Sequence, residues 1–293
     1  MKKAILIYNP MSGDHSADKN LDYIIKRFQN ENILLQPYRI FSNETEILED
    51  VLKQEDYVCA VVSGGDGTLN YSINALMKND IRIPVGVIPS GTSNDFARCI
   101  NMPHEIDKCM DVILGGNTID VDVGLINDKQ YFLTTCAGGI FVDVSFNTHN
   151  ELKKNFGTFA YYLKAISEVT NIRSFPIKIE TETQSFEEEI LLFIILNGKH
   201  AAGFTNLLEI ADYSDGIMDI IMLKNCSHLD MATVFFNVLS GNHINNKNVI
   251  SLRARKCIIK GGSSINLSVD GEKGDSLPIE VKFIQRALKV FIR

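Results

Sequence analysis

Residues 57–70 read YVCAVVSGGDGTLN. Tyr57 to Val62 is an uninterrupted apolar run, as a strand covered on both faces requires, and Leu69, Ile73, Leu76 and Met77 recur at the spacing of a helix face. Between them stands Ser63-Gly64-Gly65-Asp66-Gly67-Thr68. Glycines lack a Cβ, so their N–H groups can turn inward and come close to a phosphate, and the N-terminus of the following helix adds free donors. An acidic side chain in such a loop would repel a bare phosphate, so Asp66 makes sense if Mg²⁺ intervenes. The plainer alternative is a glycine-rich turn in which Asp66 is a local cap.

The same unit recurs on either side. Ala4 to Tyr8 predicts a buried strand, and Leu21, Ile24, Ile25 and Phe28 fall at i, i+3, i+4 and i+7 of a helix. Leu34 to Phe41 predicts a second strand. Asn43 with Glu46 forms a capping box for a helix through Ile47, Leu48, Val51 and Leu52. Ile81 to Ile88 returns as strand. This alternation implies a parallel, doubly wound sheet with its binding loops at the strands' carboxyl ends.

The pattern changes after Gly124. Short apolar runs dominate: Tyr131 to Thr135, Pro176 to Thr181, Glu188 to Leu196, Met218 to Leu223, Val249 to Ile259, Ile265 to Val269, Ile279 to Phe283 and Leu288 to Ile292. They predict a β-rich, antiparallel, sandwich-like domain, interrupted by a helix from about Glu151 to Val169 and another opened by Ser227 with Asp230. The expected domains are 1–126 and 127–293, with the last strand free to return to the first.

Three more segments qualify as loops that carry chemistry. Pro89-Ser90-Gly91-Thr92-Ser93-Asn94-Asp95 follows a buried strand, with a glycine for the turn, hydroxyls for a phosphate, and Asn94 and Asp95 to cap the next helix. Two such loops after adjacent strands would open on one crevice, with Asn9-Pro10-Met11-Ser12-Gly13 as a third wall. Far downstream, Asp270-Gly271-Glu272 is on spacing alone only a turn beside surface charge.

Composition narrows the function classes. The 293 residues are 45% hydrophobic and 22% charged, ordinary for a globular chain, with a formal net charge of −7. That balance argues against nucleic acid, whose phosphates require Lys/Arg stripes. The six cysteines form no C-x-x-C pair, so reduced, mostly buried thiols are expected. The apolar run after Lys3 is too short for a secretory signal, and no stretch reaches the roughly 18 apolar residues of a membrane span. Any lipid would be met from the aqueous side.

Taken together, the segments N-P-x-S-G (Asn9 to Gly13), G-G-D-G-T (Gly64 to Thr68), P-x-G-T-x-N-D-F-A (Pro89 to Ala97), D-x-G (Asp122 to Gly124), Asn197-Gly198 before Gly203, and D-G-E (Asp270 to Glu272) resemble the bacterial diacylglycerol kinase and YegS-like lipid-kinase family over nearly the whole chain. G-G-D-G alone is shared with NAD kinases and phosphofructokinases, whereas N-D-F-A combined with D-G-E is more selective. The resemblance implies a nucleotide-binding α/β domain, a β-rich lipid-substrate domain, and catalysis in the cleft between them. It implies ATP held by Asn9, Pro10, Met11, Ser12, Gly13, Phe41, Gly64, Gly65, Asp66, Gly67, Thr68, Leu69, Asn70 and Thr92. Phe41 stands where the family usually has Thr. Glu272 matches the family's general base, and Asp66 and Asp122 its Mg²⁺-associated acidic network. The loop Asp212 to Ile217 resembles a second, structural Mg²⁺ site, with the Asp215 carboxylate and the carbonyls of Asp212 and Ile217 as ligands; oxygen-only ligation suits Mg²⁺.

The expected partner is a lipid substrate at a membrane surface, for a cytoplasmic protein associated peripherally with the inner face; a homodimer is compatible with this. Lys153, Lys154 and Lys164 among Phe156, Phe159, Tyr161 and Tyr162 make either a basic-aromatic lipid face or a helix packing its rings inward. Arg253 and Arg255 are expected to share one strand face. Two rivals stand beside the lipid kinase: an NAD kinase-like enzyme, and a catalytically silent nucleotide- or lipid-binding regulator.

Overall fold

Strands β1 (Lys2–Tyr8), β2 (Ile33–Arg39), β3 (Tyr57–Gly64) and β4 (Val85–Pro89) run parallel, and all but β2 are almost continuously buried. The computed structural model of the protein describes residues 1–12, 16–41, 46–140, 142, 174–200, 208, 211–239, 246–262 and 265–293. The chain divides into two units: Met1–Val123 with Lys129–Leu133 and Gln285–Arg293, and Gly124–Asp128 with Thr134–Ile284.

In the first unit the order is β15-β4-β3-β1-β2, the last part of β15 (Ile279–Phe291) lying parallel to β4. The helices are α1 (Ser16–Asn30), α2 (Glu46–Gln54), α3 (Asp66–Lys78), α4 (Asp95–Cys99) and α5 (Ile106–Gly115). α1 packs on β2 and with α5; α3 packs on β3 and with α2. Because β1 sits between β2 and β3, the winding reverses at the β1/β3 junction, where a doubly wound sheet opens its binding crevice. There the Asn9 N–H donates to the Ser63 carbonyl at 3.2 Å.

The second unit is antiparallel. β9 (Ser185–Leu196) is its central strand, pairing β8 (Phe175–Thr181) along its first half, and β7 (Thr135–Gly139) and β10 (Met218–Lys224) along its second. β11 (Val249–Ala254) joins β10, β12 (Lys256–Gly261) lies between β8 and β15, and β13 (Asn266–Val269) joins β7 to β14 (Glu272–Ser276). The alternating burial of β8 places Phe175, Ile177 and Ile179 in the core. A helix, α6 (His228–Leu239), begins with the expected box: the Asp230 N–H donates to Ser227 Oγ at 3.2 Å, and that hydroxyl donates to the Asp230 carboxylate at 2.7 Å. Met231 and Val234 seat α6 on Leu191 and Leu223.

Several expectations need correction. The fourth strand starts at Val85 rather than Ile81, since Pro84 has no N–H for a ladder and offers only its carbonyl, which accepts from Ala60. Val249 to Ile259 is two strands broken at Arg255, so Arg253 and Arg255 do not share a strand face. Ile279 to Phe283 and Leu288 to Ile292 are one strand, β15, kinked where Arg286 takes φ +51°. Tyr131 to Thr135 is likewise split between β6 (Gln130–Phe132) and β7. Strand β14 and the five-residue helix α4 are too short or too polar to show a period, whereas α5, unassigned above, carries one in Ile106, Cys109, Met110 and Ile113. Asn43, the Glu151 to Val169 helix with its lysines and aromatics, and Gly203 lie outside the described residues. Among the described residues no helix is long and apolar enough to cross a membrane. Five cysteines are buried and Cys226 is half-buried; burial pushes the Cys59 thiol up to about 11 and those of Cys109 and Cys257 to about 12.

One side chain organises the edge of the first unit. Asn74, 6% exposed on α3, donates to the Tyr131 carbonyl at 2.9 Å and accepts from the Tyr131 N–H at 2.9 Å, completing the backbone of β6 as a neighbouring strand would. Asn74→Ala leaves the part-buried Tyr131 N–H without its acceptor and its carbonyl with only the Asn70 amide as donor. The expected loss is about 1–3 kcal/mol in urea unfolding; a loss below ~0.5 kcal/mol would show that water replaces the amide there.

Candidate functional site

Three loops leave the carboxyl ends of β1, β3 and β4, and backbone contacts lace them together. Besides the Asn9–Ser63 bond, the Ser90 N–H donates to the Gly64 carbonyl at 3.0 Å, and the Ser12 and Thr68 hydroxyls lie 3.4 Å apart. The closest approach is between glycines. A Cβ built on Gly91 would lie 2.4 Å from the Gly65 Cα, and one on Gly65 would lie 3.1 Å from the Gly91 Cα. Only two residues without side chains allow the loops to touch there.

Asn94 shapes the second loop. Its Oδ1 accepts the Gly91 N–H at 2.9 Å and its Nδ2 donates to the Gly91 carbonyl at 2.8 Å. Asn94 itself is left-handed (φ +51°) and gives α4 no side-chain cap, contrary to the sequence expectation; its amide is spent on closing the turn. The cap comes instead from the other loop, where Asp66 Oδ1 accepts the Phe96 N–H at 3.3 Å. The N-cap of α3 is Gly65, which has no side chain to cover the first-turn N–H groups, as suits a helix end that meets a phosphate.

The other expected residues divide by environment. Leu69 is core (3% exposed), so it can offer a ligand only its backbone, while Thr92 is exposed. The Asn70 amide donates to the Tyr131 carbonyl at 3.0 Å. Pro10 is buried, whereas Met11 and Phe41 are exposed, and Gly13 lies outside the described residues. Asp122 is fully buried and accepts the Arg286 N–H at 2.7 Å, holding the kink of β15.

In the second unit, Asp270-Gly271 is a two-residue hairpin loop in which Val269 faces Glu272 and both loop residues have positive φ (+49° and +86°), the signature of a type I′ turn. The Asp270 carboxylate is buried and accepts from Thr134 N–H (2.8 Å), Thr134 Oγ1 (2.7 Å) and Thr135 N–H (3.0 Å). The turn is thus anchored from behind, and Glu272 emerges exposed at the start of β14.

The loop Asp212 to Ile217 has its own order. Asp212 Oδ1 accepts from Ser214 N–H and Oγ at 2.9 and 2.8 Å, and Asp215 Oδ1 accepts the Ile217 N–H at 2.9 Å. Arg253 reaches in from β11, with Nη2 2.6 Å from Asp215 and Nε 3.0 Å from the buried Asp219; burial pushes the Asp219 carboxyl up even with that guanidinium beside it.

The residues present fit what the sequence resemblance implies. The glycine N-cap of α3 and the buried hydroxyls of Ser63 and Ser90, which find no hydrogen-bond partner among the described residues, suit a site completed by oxygen-rich ligand. Asp66 suits Mg²⁺ that draws its remaining ligands from phosphate. At the second site a carboxylate with about four lone-pair positions keeps room for an ion although each Asp215 oxygen already accepts one bond, with Arg253 as a competing cation. Asn74, Asn94, Arg253 and Asp219 were not among the expected site residues. Their roles depend on partners 20 or more residues away or on an Asn side chain folding back on its own loop, and neither leaves a periodic signal.

Residues 3–126 match the family model for the diacylglycerol kinase catalytic domain, and residues 138–292 that for the YegS C-terminal NAD kinase beta sandwich-like domain. The chain is 33% identical over 291 residues to a diacylglycerol kinase of Staphylococcus carnosus, covering 99% of this chain and 95% of that protein. It is 32% identical over 299 residues to one of Bacillus subtilis, covering 99% and 96%. A crystal structure of a putative diacylglycerol kinase from Bacillus anthracis aligns with a TM-score of 0.85 at 25% identity, covering all of this chain and 95% of that one.

The glycine contact makes a sharp prediction. Gly91→Ala forces the two loops apart and should cost about 1–3 kcal/mol by overpacking. Gly115→Ala, where a Cβ meets nothing within 4 Å at the end of α5, should be neutral or stabilising by up to ~1 kcal/mol. Equal denaturant midpoints for the two variants would show that the loops do not depend on this contact.

Proposed function

The chain belongs to the diacylglycerol kinase family and is a lipid kinase, and on that premise we propose that it transfers the γ-phosphate of ATP to a lipid hydroxyl, that of a diacylglycerol first among candidates. The observation that carries this reading is the pair of glycine loops in contact at the carboxyl ends of β3 and β4, beside the winding reversal of a parallel sheet and ahead of a helix whose N-cap is glycine. Residues 1–126 are the nucleotide-binding part and 127–293 the lipid-substrate part.

In this reading Asn9 to Gly13, Gly64 to Asn70 and Thr92 hold the nucleotide, with backbone N–H groups and the α3 N-terminus facing its phosphates. Asp66 and Asp122 supply the acidic network for Mg²⁺, which when bound offsets the charge on the transferring phosphoryl group. Asp66 also fixes α4, so one carboxylate both positions the second loop and meets the metal. Glu272 accepts the alcohol proton as the new O–P bond forms and the bond to the leaving ADP breaks. Asp270 holds Glu272 in place through Thr134 and Thr135. Asp215, with the carbonyls of Asp212 and Ile217, holds the second, structural Mg²⁺. The enzyme works from the aqueous side of a membrane, as a peripheral cytoplasmic protein.

Glu272→Gln keeps shape and removes the proton acceptor. ATP affinity by calorimetry should be unchanged and phosphorylation of lipid micelles should fall by about 10²–10⁴. A wild-type rate removes Glu272 from the mechanism, and NAD phosphorylated in place of lipid would favour the NAD kinase-like alternative. The structural metal is tested without activity: Mg²⁺ should raise the melting temperature of the wild type and not that of Asp215→Ala. Identical Mg²⁺ responses would leave Asp215 to Arg253 alone.

A further inference from the structure

Asparagine is a poor residue for the middle of a helix, because its amide competes for nearby backbone groups. α3 carries two of them one turn apart, and both spend their amides on a single residue. Asn70 Nδ2 donates to the Tyr131 carbonyl at 3.0 Å and Asn74 Nδ2 to the same oxygen at 2.9 Å, while Asn74 Oδ1 accepts the Tyr131 N–H at 2.9 Å. Asn74 Nδ2 also reaches Asn70 Oδ1 at 3.1 Å, so the two amides brace each other. The helix that begins at the glycine loop therefore grips Tyr131 by both of its backbone polar groups.

Three residues further on the chain is gripped again, by groups of the second unit. Asp270 Oδ1 accepts from Thr134 N–H, Thr134 Oγ1 and Thr135 N–H. In return the Asp270 N–H donates to the Thr135 carbonyl at 2.9 Å, and the Asn197 N–H donates to that of Thr134 at 2.8 Å. The chain passes from the first unit to the second between Leu133 and Thr134. Only Phe132 and Leu133 separate the two sets of bonds, and both are buried. Three residues span at most about 10 Å when extended, and burial denies this connector room to bow outward. A displacement of Tyr131 is therefore passed on to Thr134, and from there to the turn out of which Glu272 departs.

We propose that Asn74 is a positioning residue for phosphoryl transfer, which sets the place of Glu272 through Tyr131, Thr134 and Asp270. The proposal rests on the reading of Glu272 as the base. One rigid helix then meets the phosphates at its N-terminus and, nine residues on from Gly65, steadies the support of the base. Asn74 is buried and its amide is engaged with these partners, so it acts on the rate and not on the binding of nucleotide. Misplacement of a reacting group by about 1 Å can cost about 10²-fold in rate.

The test is a double-mutant cycle on the full chain, with ATP, Mg²⁺ and diacylglycerol in micelles, read as kcat and as calorimetric ATP affinity. All variants are assayed well below their melting temperatures, so that a smaller folded fraction does not enter the rates. Asn74→Ala and Thr134→Val should each lower kcat by about 10- to 100-fold and leave ATP affinity within about two-fold. On a Glu272→Gln background the same substitutions should change the residual rate by less than about two-fold, because a base that is absent cannot be misplaced. If Asn74→Ala does not fold, Asn74→Asp takes its place, since it keeps the shape and the acceptor for the Tyr131 N–H. Equal losses of rate on both backgrounds, a normal kcat, or a loss confined to ATP affinity overturns the proposal and leaves Asn74 a purely structural residue. A Glu272→Gln variant with wild-type rate is a different failure: the base itself falls and takes the positioning chain with it.

Discussion

The contact between Gly65 and Gly91 is the constraint from which the architecture of the first unit's site follows. Two strands of a parallel sheet end side by side, and each must turn into a helix within a few residues. Loops with side chains at the crossing would be held apart. With glycine at both positions the backbones meet, the Ser90 N–H reaches the Gly64 carbonyl, and Asp66 of one loop can cap the helix of the other. Asn94 then has a specific task, since a turn pressed against another backbone has little freedom to find its own hydrogen bonds; both its amide groups close on Gly91. The result is a preorganised cradle, which matters for phosphoryl transfer because positioning and electrostatics supply nearly all of that catalysis.

The second unit solves a comparable problem with charge. A two-residue hairpin turn at the end of β13 would ordinarily be a solvent-exposed tip. Here the Asp270 carboxylate is turned inward onto two backbone amides and a hydroxyl, so the tip is rigid and the next residue, Glu272, has a fixed point of departure. Charge-assisted hydrogen bonds of this kind are stronger than neutral ones. Anchoring the turn through a buried carboxylate lets the neighbouring Glu272 stay exposed.

Arg253 shows a third use of charge. Asp219 is almost fully buried in β10, where a lone carboxylate would be costly. The guanidinium compensates it and at the same time reaches Asp215 on the exposed loop. One planar cation thus ties the loop to the strand that follows it, with the loop already shaped by its own Asp212 and Asp215 turns. Any divalent ion taken there binds a loop that is largely formed beforehand.

Much of this was legible in the amino-acid sequence, and for a definite reason. Local backbone chemistry and burial leave periodic traces, so the buried runs at Ala4 to Tyr8 and Tyr57 to Val62, the helix faces of α1, α2 and α3, the Ser227–Asp230 box and the glycine-rich loops could be read directly. The order of motifs along the chain also carried the family. Tertiary structure decided what depends on groups far apart in sequence. That Asp66 caps α4, that Asn74 stands in for a strand beside Tyr131, that Arg253 compensates Asp219 rather than sharing a strand face with Arg255, and that β15 is one kinked strand all rest on pairings across 30 to 164 residues. A side chain with several hydrogen-bonding options shows its choice only when folding brings the partner. Periodicity records which face of an element is buried, and it is silent on what that face meets.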